Sequence, residues 1–375
     1  MKVTVITSRY PRKGDIYSHM FVHTRCLEMI KQGVKVEIFV PEQMSSRYKY
    51  EGVEVHKMQA HQIVKRIDAK SVIYLHLLNI YPFQKKDGWP IYKYIIQQKL
   101  PFVFYVHGNE VQKYSARRYE FDFRLTDILK WIKKDFFVIP KMQQFVHEAY
   151  LGTYIFPSKW MKEEMQRNLK LEINKFHVIP NGIDTHLFMN NDLSKNRHKL
   201  ITIRSLSQKV YDIEKTVEVM EYLPTEFTLD IYGKGVYENK YKRLIKKKGL
   251  DNRVRIISAF FEKAQMNKLF KNYGIFISTT RMDSQGITMM EGMSAGLLVA
   301  STDNSSKREF ISDGETGILA IEAKEIAAKI IEAVENPNNF LRITKNARRR
   351  MEEICLEKVT AKEISVLKQT AKLLD

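Results

Sequence analysis

Short runs of β-branched and aromatic residues alternate along the chain with longer segments whose apolar residues recur at helical spacing. This alternation predicts an α/β fold with parallel sheets. In the first half, strands are predicted at 3–7, 34–40, 53–56, 72–77, 102–106 and 153–156, and helices at 17–31, 62–67, 91–99, 125–134, 142–147 and 160–169.

The pattern breaks around Pro180, where the turn-forming run IPNGID (179–184) precedes a polar stretch at 190–197, and it then restarts. In the second half, strands are predicted at 200–204, 228–232, 254–257, 275–278 and 297–301, and helices at 213–221, 238–248, 263–271, 287–295 and 323–334, followed by two long basic helices from Asn339 onward. We therefore predict two similar α/β lobes, 1–182 and 183–350, and a C-terminal helical tail at 351–375 that packs back toward the first lobe.

Ligands of such sheets bind where the carboxyl ends of the strands enter helix N-termini. The loops that follow the predicted strands therefore carry the candidate chemistry. These loops are 8–16, 107–112, 204–210, 233–236, 258–261 and 279–288.

The most informative loop joins a strand to a helix that begins near Gly286. Asp283 lies in this loop and Glu291 in the second turn of the helix, with seven residues between them. The free amides of Gly286, Ile287 and Thr288 at the positive end of the helix favour a diphosphate, and the two carboxylates can accept hydrogen bonds from sugar and ribose hydroxyls. The pattern fits equally well an N-cap acid followed by a solvated helical glutamate.

Two cations follow the first strand of the second lobe, Arg204 at its end and Lys209 five residues later. Cations at that edge of a sheet stabilise the negative charge that develops on a departing diphosphate. In a chain with 62 lysines and arginines, two neighbouring cations are weak evidence by themselves.

Two positions in the first lobe complete the candidate set. His107 follows an apolar strand and precedes Gly108, so it could reach a substrate hydroxyl or equally be a satisfied core histidine. Gly14 precedes the first helix and would let the backbone approach a phosphate. His19 and His23 have the spacing of helical metal ligands, but no acid completes the set, so no metal site is predicted.

Composition and charge indicate the class of partner and the cellular compartment. The formal net charge is +19, and residues 1–185 carry 30 Lys and Arg against 18 Asp and Glu. Such an excess indicates a polyanionic partner: nucleic acid, an anionic membrane face or a phosphate-bearing substrate. The two cysteines, the strand pattern at the N-terminus and the lack of a long apolar run favour a reducing, cytoplasmic setting without a membrane span.

Together these features resemble the glycosyltransferases of the GT-B fold, and among them family 4, the retaining group 1 transferases. The marks in chain order are Gly14, His107-Gly108, the strand end Phe156-Pro157-Ser158, the IPNGID run, Arg204 with Lys209, Tyr232-Gly233-Lys234-Gly235, and the stretch from Asp283 to Gly296. The resemblance covers nearly the whole chain, and it implies two Rossmann-like lobes.

The resemblance implies hexosyl transfer with retained anomeric configuration from a nucleotide diphosphate donor, a UDP-sugar rather than a GDP-sugar, to an acceptor hydroxyl. Neither a metal nor another cofactor is expected. The implied catalytic residues are Arg204, Lys209, Asp283 and His107. The implied donor-binding residues are Gly14, Arg204, Lys209, Asp283, Gly286, Ile287, Thr288 and Glu291.

Within these sets the resemblance implies separate roles. Arg204 and Lys209 would grip the diphosphate, and Glu291 would bind the ribose of the donor. Asp283 takes the place of a family glutamate that holds the donor sugar, and it is one methylene shorter. Asp15 occupies a position where many relatives have a second glycine.

In this fold the first lobe binds the acceptor, which we expect to be a saccharide or lipid-linked saccharide of cell-surface polysaccharide or glycolipid synthesis. The basic pairs Arg117-Arg118 and Lys133-Lys134 and the aromatic stretch 81–94 favour peripheral docking on an anionic inner membrane face, although a solvated basic face fits the same pattern. Two other classes stay open: a UDP-sugar 2-epimerase of the same fold, and a basic nucleic-acid-binding protein. Against nucleic acid, the cations are spread over both lobes and no recognition motif occurs.

Overall fold

The chain divides into two compact units. The structure is a computed structural model that describes residues 1–16, 18–82, 84–122, 124–259 and 261–374. One unit comprises 1–182 together with 356–375, and the other comprises 183–355. Each unit contains one sheet with helices packed on it, which confirms the predicted α/β class.

The first unit is built on an eight-stranded sheet. Its strands are β1 Lys2–Thr7, β2 Lys35–Pro41, β3 Ser46–Tyr50, β4 Val53–Met58, β5 Val72–His76, β6 Phe102–Tyr105, β7 Gly152–Phe156 and β8 Phe176–Val178. Its first six helices are α1 Met20–Lys31, α2 Ala60–Val64, α3 Trp89–Gln97, α4 Leu125–Trp131, α5 Ile139–Glu148 and α6 Lys159–Leu169. The strand order is β3-β4-β2-β1-β5-β6-β7-β8, and every pair is parallel except β3 with β4.

The centre of this sheet is buried on both faces. β5 and β6 are apolar except for His76 at the end of β5, and all their residues are buried, as expected for parallel strands covered by helices. Two strands of this sheet that the sequence pattern did not predict, β3 and β8, lie at its edges, and neither contains a fully buried residue. The helix predicted from residue 17 begins at Met20, after His19 in a left-handed conformation (φ 56°). Tyr17 lies outside the described residues.

The second unit is built on a six-stranded, fully parallel sheet. Its strands are β9 Lys199–Ile203, β10 Thr228–Tyr232, β11 Val254–Ile257, β12 Ile275–Ser278, β13 Leu298–Thr302 and β14 Ile318–Ala320. Its helices are α7 Ile213–Tyr222, α8 Glu238–Lys247, α9 Lys263–Phe270, α10 Ile287–Ala295, α11 Ala323–Glu335 and α12 Pro337–Glu353. The order β11-β10-β9-β12-β13-β14 reverses direction between β9 and β12, where ligands of such sheets bind.

The C-terminal segment is shared between the units. α12 packs on α10 of the second unit, and the Arg348 Nη1 donates to Ser294 Oγ at 2.9 Å. The boundary therefore lies after Cys355 rather than at residue 350, because α12 belongs to the second core. The last helix, α13 Leu356–Ala371, packs on α1 of the first unit.

Within the described ranges, none of the helices combines the length and the hydropathy needed to cross a bilayer.

Candidate active site

Arg204 lies at the point where the order of the second sheet reverses. It directly follows β9, and its Nη2 donates to the Ser278 Oγ at the end of β12, at 2.9 Å. The Arg204 Nε is buried and has no hydrogen-bond partner. A buried donor without an acceptor costs free energy, so the guanidinium has binding capacity that an anion would satisfy.

Two glycines determine where the Arg204 loop lies. A Cβ at Gly233 would lie 1.9 Å from the Arg204 carbonyl oxygen, and one at Gly235 would lie 2.1 Å from the Leu206 carbonyl carbon. The Arg204 and Leu206 amides donate to the carbonyls of Tyr232 and Lys234, both at 2.9 Å. Only glycine permits this close approach of two loops, so the Gly233-Lys234-Gly235 run is a packing element as well as a turn.

Lys209 lies in the same loop as Arg204. It begins a short 3₁₀ turn, Lys209–Tyr211, and its Nζ lies 6.0 Å from the centroid of the Tyr237 ring. The Arg204 guanidinium lies 5.5 Å from the centroid of the Tyr211 ring. Tyr211 therefore lies beside the Arg204 guanidinium, and it follows Lys209 by two residues in the sequence.

The predicted helix N-terminus is present at the neighbouring strand. Gly286 is the N-cap of α10 with φ +79°, and Ile287 and Thr288 are its first two residues. The amides of a first helical turn have no acceptor within the helix, so they point toward the open end. Asp283 is half-buried, and its Oδ1 accepts from the Gln285 amide at 3.1 Å. One oxygen of this carboxylate therefore stabilises the loop, but Asp283 is not the N-cap that the alternative expected, because Gly286 is the N-cap of α10.

Glu291 is buried rather than solvated, so the second part of that alternative is also wrong. Its side chain lies in the second turn of α10, and the residue is 3% exposed. Burial raises the pKa of Glu291, while the charges of Lys263 and Arg204 act in the opposite direction. The positive charge of the Arg204 guanidinium therefore favours the ionised form of the Glu291 carboxylate.

Lys263 is a site residue that the sequence analysis missed. Its Nζ lies 3.3 Å from the Glu291 Oε1. It is the first residue of α9, where the helix dipole disfavours a cation. A lysine at a helix N-terminus is the signal that could have identified it, since such a cation usually has a nearby acid.

Lys307 is a second missed residue. It is 1% exposed, and its Nζ donates to the Thr280 carbonyl at 2.7 Å, to the Asn304 Oδ1 at 2.9 Å and to the Thr302 Oγ1. Three acceptors match the three donors of an ammonium group. Burial nevertheless lowers the pKa of Lys307 to about 7; the charge of Asp283 opposes this shift, and the charge of Arg204 adds to it.

This pKa makes the stability of the second unit depend on pH. The unfolded chain, in which the lysine pKa is 10.5, binds more protons than the folded chain between pH about 7 and 10.5. The free energy of unfolding should therefore rise with pH over this range, by up to about 1.4 kcal/mol per pH unit. Lys307→Met should remove this slope in urea unfolding followed by far-UV circular dichroism. The exposed Lys247→Met variant should keep it, and equal slopes in all three proteins would contradict the assignment.

His107 and Gly14 lie in the first unit. The His107 Nε2 lies 3.1 Å from the His76 Nδ1, and its amide donates to the Glu110 Oε1 at 2.9 Å. Burial lowers the pKa of His107 well below its usual value, so the imidazole is neutral. Gly14 has φ +83° in an exposed turn, and no atom lies within 4 Å of a Cβ built there, which leaves room for a ligand.

The spaced histidines of α1 have protein partners. The His19 Nδ1 lies 2.9 Å from the Thr7 Oγ1, and the His23 Nδ1 lies 2.8 Å from the Tyr10 hydroxyl. In the described part of the chain, no group of three or more His, Cys, Asp or Glu is placed to hold a metal ion. Phe260, in the candidate loop after β11, lies outside the described residues.

Two family models match the chain. Residues 19–187 match Glycosyltransferase Family 4, and residues 185–350 match Glycosyl transferases group 1. The GtfA subunit of UDP-N-acetylglucosamine–peptide N-acetylglucosaminyltransferase from Streptococcus gordonii is 30% identical over 123 residues, 32% of this chain and 23% of that protein. A probable sucrose-phosphate synthase from Thermosipho melanesiensis is 25% identical over 301 residues, 69% of this chain and 67% of that protein.

The fold has solved relatives. HepE from Anabaena, in complex with UDP, has a TM-score of 0.74 at 14% identity, covering 98% of this chain and 99% of that chain. The same protein in complex with UDP-glucose has a TM-score of 0.73 at 15% identity, covering 98% of this chain and 100% of that chain. The two family models together span residues 19–350, and with this shared fold they show that the chain belongs to the group 1, family 4 glycosyltransferases of the GT-B fold.

Proposed function

We propose that the protein transfers a sugar from a UDP-sugar to an acceptor hydroxyl with retention of anomeric configuration. One observation carries the proposal: the carboxyl edge of the second sheet brings together an Arg204 with an unused donor, the N-terminus of α10 and the buried Glu291. A nucleoside diphosphate offers the negative charge and the ribose hydroxyls that these groups recognise. The complexes of HepE with UDP and UDP-glucose support a donor of this class.

The reaction breaks the bond between the anomeric carbon and the diphosphate oxygen. Arg204, Lys209 and the amides at Gly286 to Thr288 would neutralise the departing diphosphate, and no metal is required for this in our proposal. Each preorganised donor of this kind contributes roughly 2–4 kcal/mol to the transition state. The acceptor oxygen would attack from the face that the diphosphate leaves, and a diphosphate oxygen would take its proton.

The buried glutamate would hold the nucleoside end of the donor. The Glu291 carboxylate would accept hydrogen bonds from two ribose hydroxyls while it keeps its ion pair with Lys263. Asp283 would contact the donor sugar through its Oδ2, because its Oδ1 accepts from the Gln285 amide. His107 would contact the transferred sugar as a neutral imidazole, and Gly14 would let the backbone approach the diphosphate.

The acceptor in this proposal is a saccharide or a lipid-linked saccharide of polysaccharide or glycolipid synthesis. The protein would work in the cytoplasm, peripherally on the inner membrane face. The basic first unit supports this location, because residues 1–185 hold most of the excess positive charge.

A thermal-shift panel with UDP, GDP, ADP and CMP tests the donor assignment. We expect UDP to stabilise the protein most, and Glu291→Ala to weaken UDP binding by about 10- to 100-fold because charge-assisted hydrogen bonds are lost. Glu291→Gln should weaken it less, and the exposed Glu332→Ala should leave it unchanged. Full UDP affinity in Glu291→Ala would remove the ribose role. Accumulation of an epimer from a UDP-sugar without acceptor would favour the 2-epimerase instead.

A further inference from the structure

One segment of the first unit exposes an unusual amount of apolar surface. Of the 16 large apolar side chains that are exposed in the described part of the chain, six lie between residues 125 and 137. We name these six the apolar ridge: Leu125, Ile128, Leu129, Ile132, Phe136 and Phe137. A concentration of this kind on one short segment indicates a surface that contacts another apolar phase.

The ridge lies on a continuous helical segment. α4 passes into a π-helical turn at 132–138, which passes into α5. Ile128, Ile132 and Phe136 recur at every fourth residue and therefore form one row on the outer side. The spacing is that of an amphipathic helix whose apolar side faces outward.

The other side of the segment is firmly held in the unit. Asp127 is buried, and its carboxylate accepts from the Asp122 amide at 2.9 Å and from the Tyr114 hydroxyl at 3.3 Å. Val138 and Ile139 are buried in the core. The ridge is therefore presented by an anchored element.

The same segment contributes cations to a pocket. An open cavity of about 230 Å³ in the first unit is lined, among the described residues, by three lysines of the segment, by two cations of the preceding loop and by one acid. The cations are Lys130, Lys133, Lys134, Lys113 and Arg117, and the acid is Glu110. These five cations thus form a concave site for an anion. Two of them, Lys133 and Lys134, are only partly exposed.

Details of this pocket indicate unmet capacity for an anion. The Arg117 Nε is buried without a hydrogen-bond partner. The Lys133 Nζ lies 5.5 Å from the centroid of the Tyr81 ring, and the Lys134 Nζ donates to the Asn109 carbonyl oxygen. Burial lowers the pKa of Lys134 to about 8, a cost that a bound anion would relieve.

We propose that residues 125–138 dock the first unit on an anionic phospholipid membrane, with the apolar ridge in the headgroup–acyl boundary and the pocket cations on lipid phosphates. A membrane supplies apolar depth and dense negative charge side by side, which matches a ridge flanked by lysines. A second copy of this chain fits less well, because a two-fold interface through the ridge would bring the lysines of both copies together. This inference deepens the peripheral location of the proposed function, and it can be tested without catalysis.

Flotation of the full chain with phosphatidylcholine vesicles, with and without phosphatidylglycerol, provides the test. We expect the protein to float with the anionic vesicles and to be released by salt. The Leu129→Asp, Phe136→Asp double variant should lose at least roughly tenfold in partitioning. The matched control, Met44→Asp with Tyr150→Asp, adds the same charge at two exposed apolar positions of the same unit, and it should partition like the wild type.

A second pair of substitutions separates the contribution of the pocket cations to membrane binding from that of the apolar ridge. Arg117→Gln with Lys133→Gln should lower partitioning into anionic vesicles by roughly tenfold or more and leave weak binding to neutral vesicles unchanged. Equal flotation of the ridge variant and its control would overturn the proposal. So would a wild-type dimer that the ridge substitutions convert to a monomer while flotation persists. The UDP thermal shift should be the same in all variants, so a failure of the donor assignment is recognisable separately.

Discussion

Arg204→Ala should reduce turnover of the UDP-sugar by about 10²–10³-fold, the usual effect of removing one preorganised donor to a developing anion. The guanidinium is held at the sheet edge by Ser278, and its buried Nε has no protein partner. A side chain placed in this way adds little to the stability of the resting protein but would stabilise the leaving diphosphate. The measurement is the rate of UDP release from a UDP-sugar by the purified chain, with and without a saccharide acceptor.

Two further variants separate position from charge. Arg204→Lys keeps the charge and loses the planar fork, so its rate should fall between those of the wild type and the alanine variant. Arg342→Ala removes an exposed arginine that pairs with Glu315, and it should turn over at the wild-type rate. If Arg204→Ala kept wild-type turnover while its circular dichroism spectrum was unchanged, the assignment of this sheet edge to the diphosphate would be wrong.

Arg25→Met should lower the free energy of unfolding of the first unit by about 3–5 kcal/mol, because it leaves a buried carboxylate without its cation. The Arg25 Nε lies 2.7 Å from the Glu363 Oε2, and the two side chains are 4% and 1% exposed. The Tyr74 hydroxyl donates to the same Glu363 oxygen at 2.7 Å, and the Arg25 Nη2 donates to the Asn181 Oδ1 at 2.9 Å. This network joins α13 to α1 and β5, so it fastens the last helix to the first sheet.

Urea unfolding followed by tryptophan fluorescence measures this effect. All three tryptophans, Trp89, Trp131 and Trp160, belong to the first unit, so the signal reports on that unit. Breaking the exposed Arg47–Glu54 pair of the same unit should cost less than about 1 kcal/mol. The double variant Arg25→Met, Glu363→Leu should be more stable than Arg25→Met, because no uncompensated charge is buried. A cost for Arg25→Met as small as that of the exposed pair would contradict the account.

The predictions from sequence were most accurate where one periodicity dominated. The strands at 228–232, 254–257 and 275–278 and the helix at 287–295 have the observed bounds, because apolar strand runs and a glycine at each end of the helix leave little choice. The edge strands β3, β8 and β14 were missed. Each pairs with only one neighbouring strand, β3 and β8 contain no fully buried residue, and β14 is only three residues long. The π-helical turn at 132–138 was also not predicted, since its irregular hydrogen bonding has no separate sequence period.

For the candidate site, local sequence was sufficient to single out Arg204, Asp283 and Glu291, and their roles stay predictions. Residues of these types follow strands of a parallel sheet, and a strand end is a short-range property. Local sequence could not identify Lys263 or Lys307. Each lies far along the chain from the acid that stabilises its positive charge, which is Glu291 for Lys263 and Asp283 for Lys307. Local sequence also left open whether Glu291 is solvated, since one helical position does not reveal what packs over it.

The sequence by itself determined the α/β alternation, the break after Gly182 and the residue types at the strand ends, because these depend on spacing along the chain. Only the tertiary structure decided which of those residues share one environment, which carboxylate is buried, and that the apolar side of the segment 125–138 faces outward. Burial and charge pairing arise between elements far apart in sequence, and a hydrophobic pattern specifies which face of a helix is apolar but not what covers it.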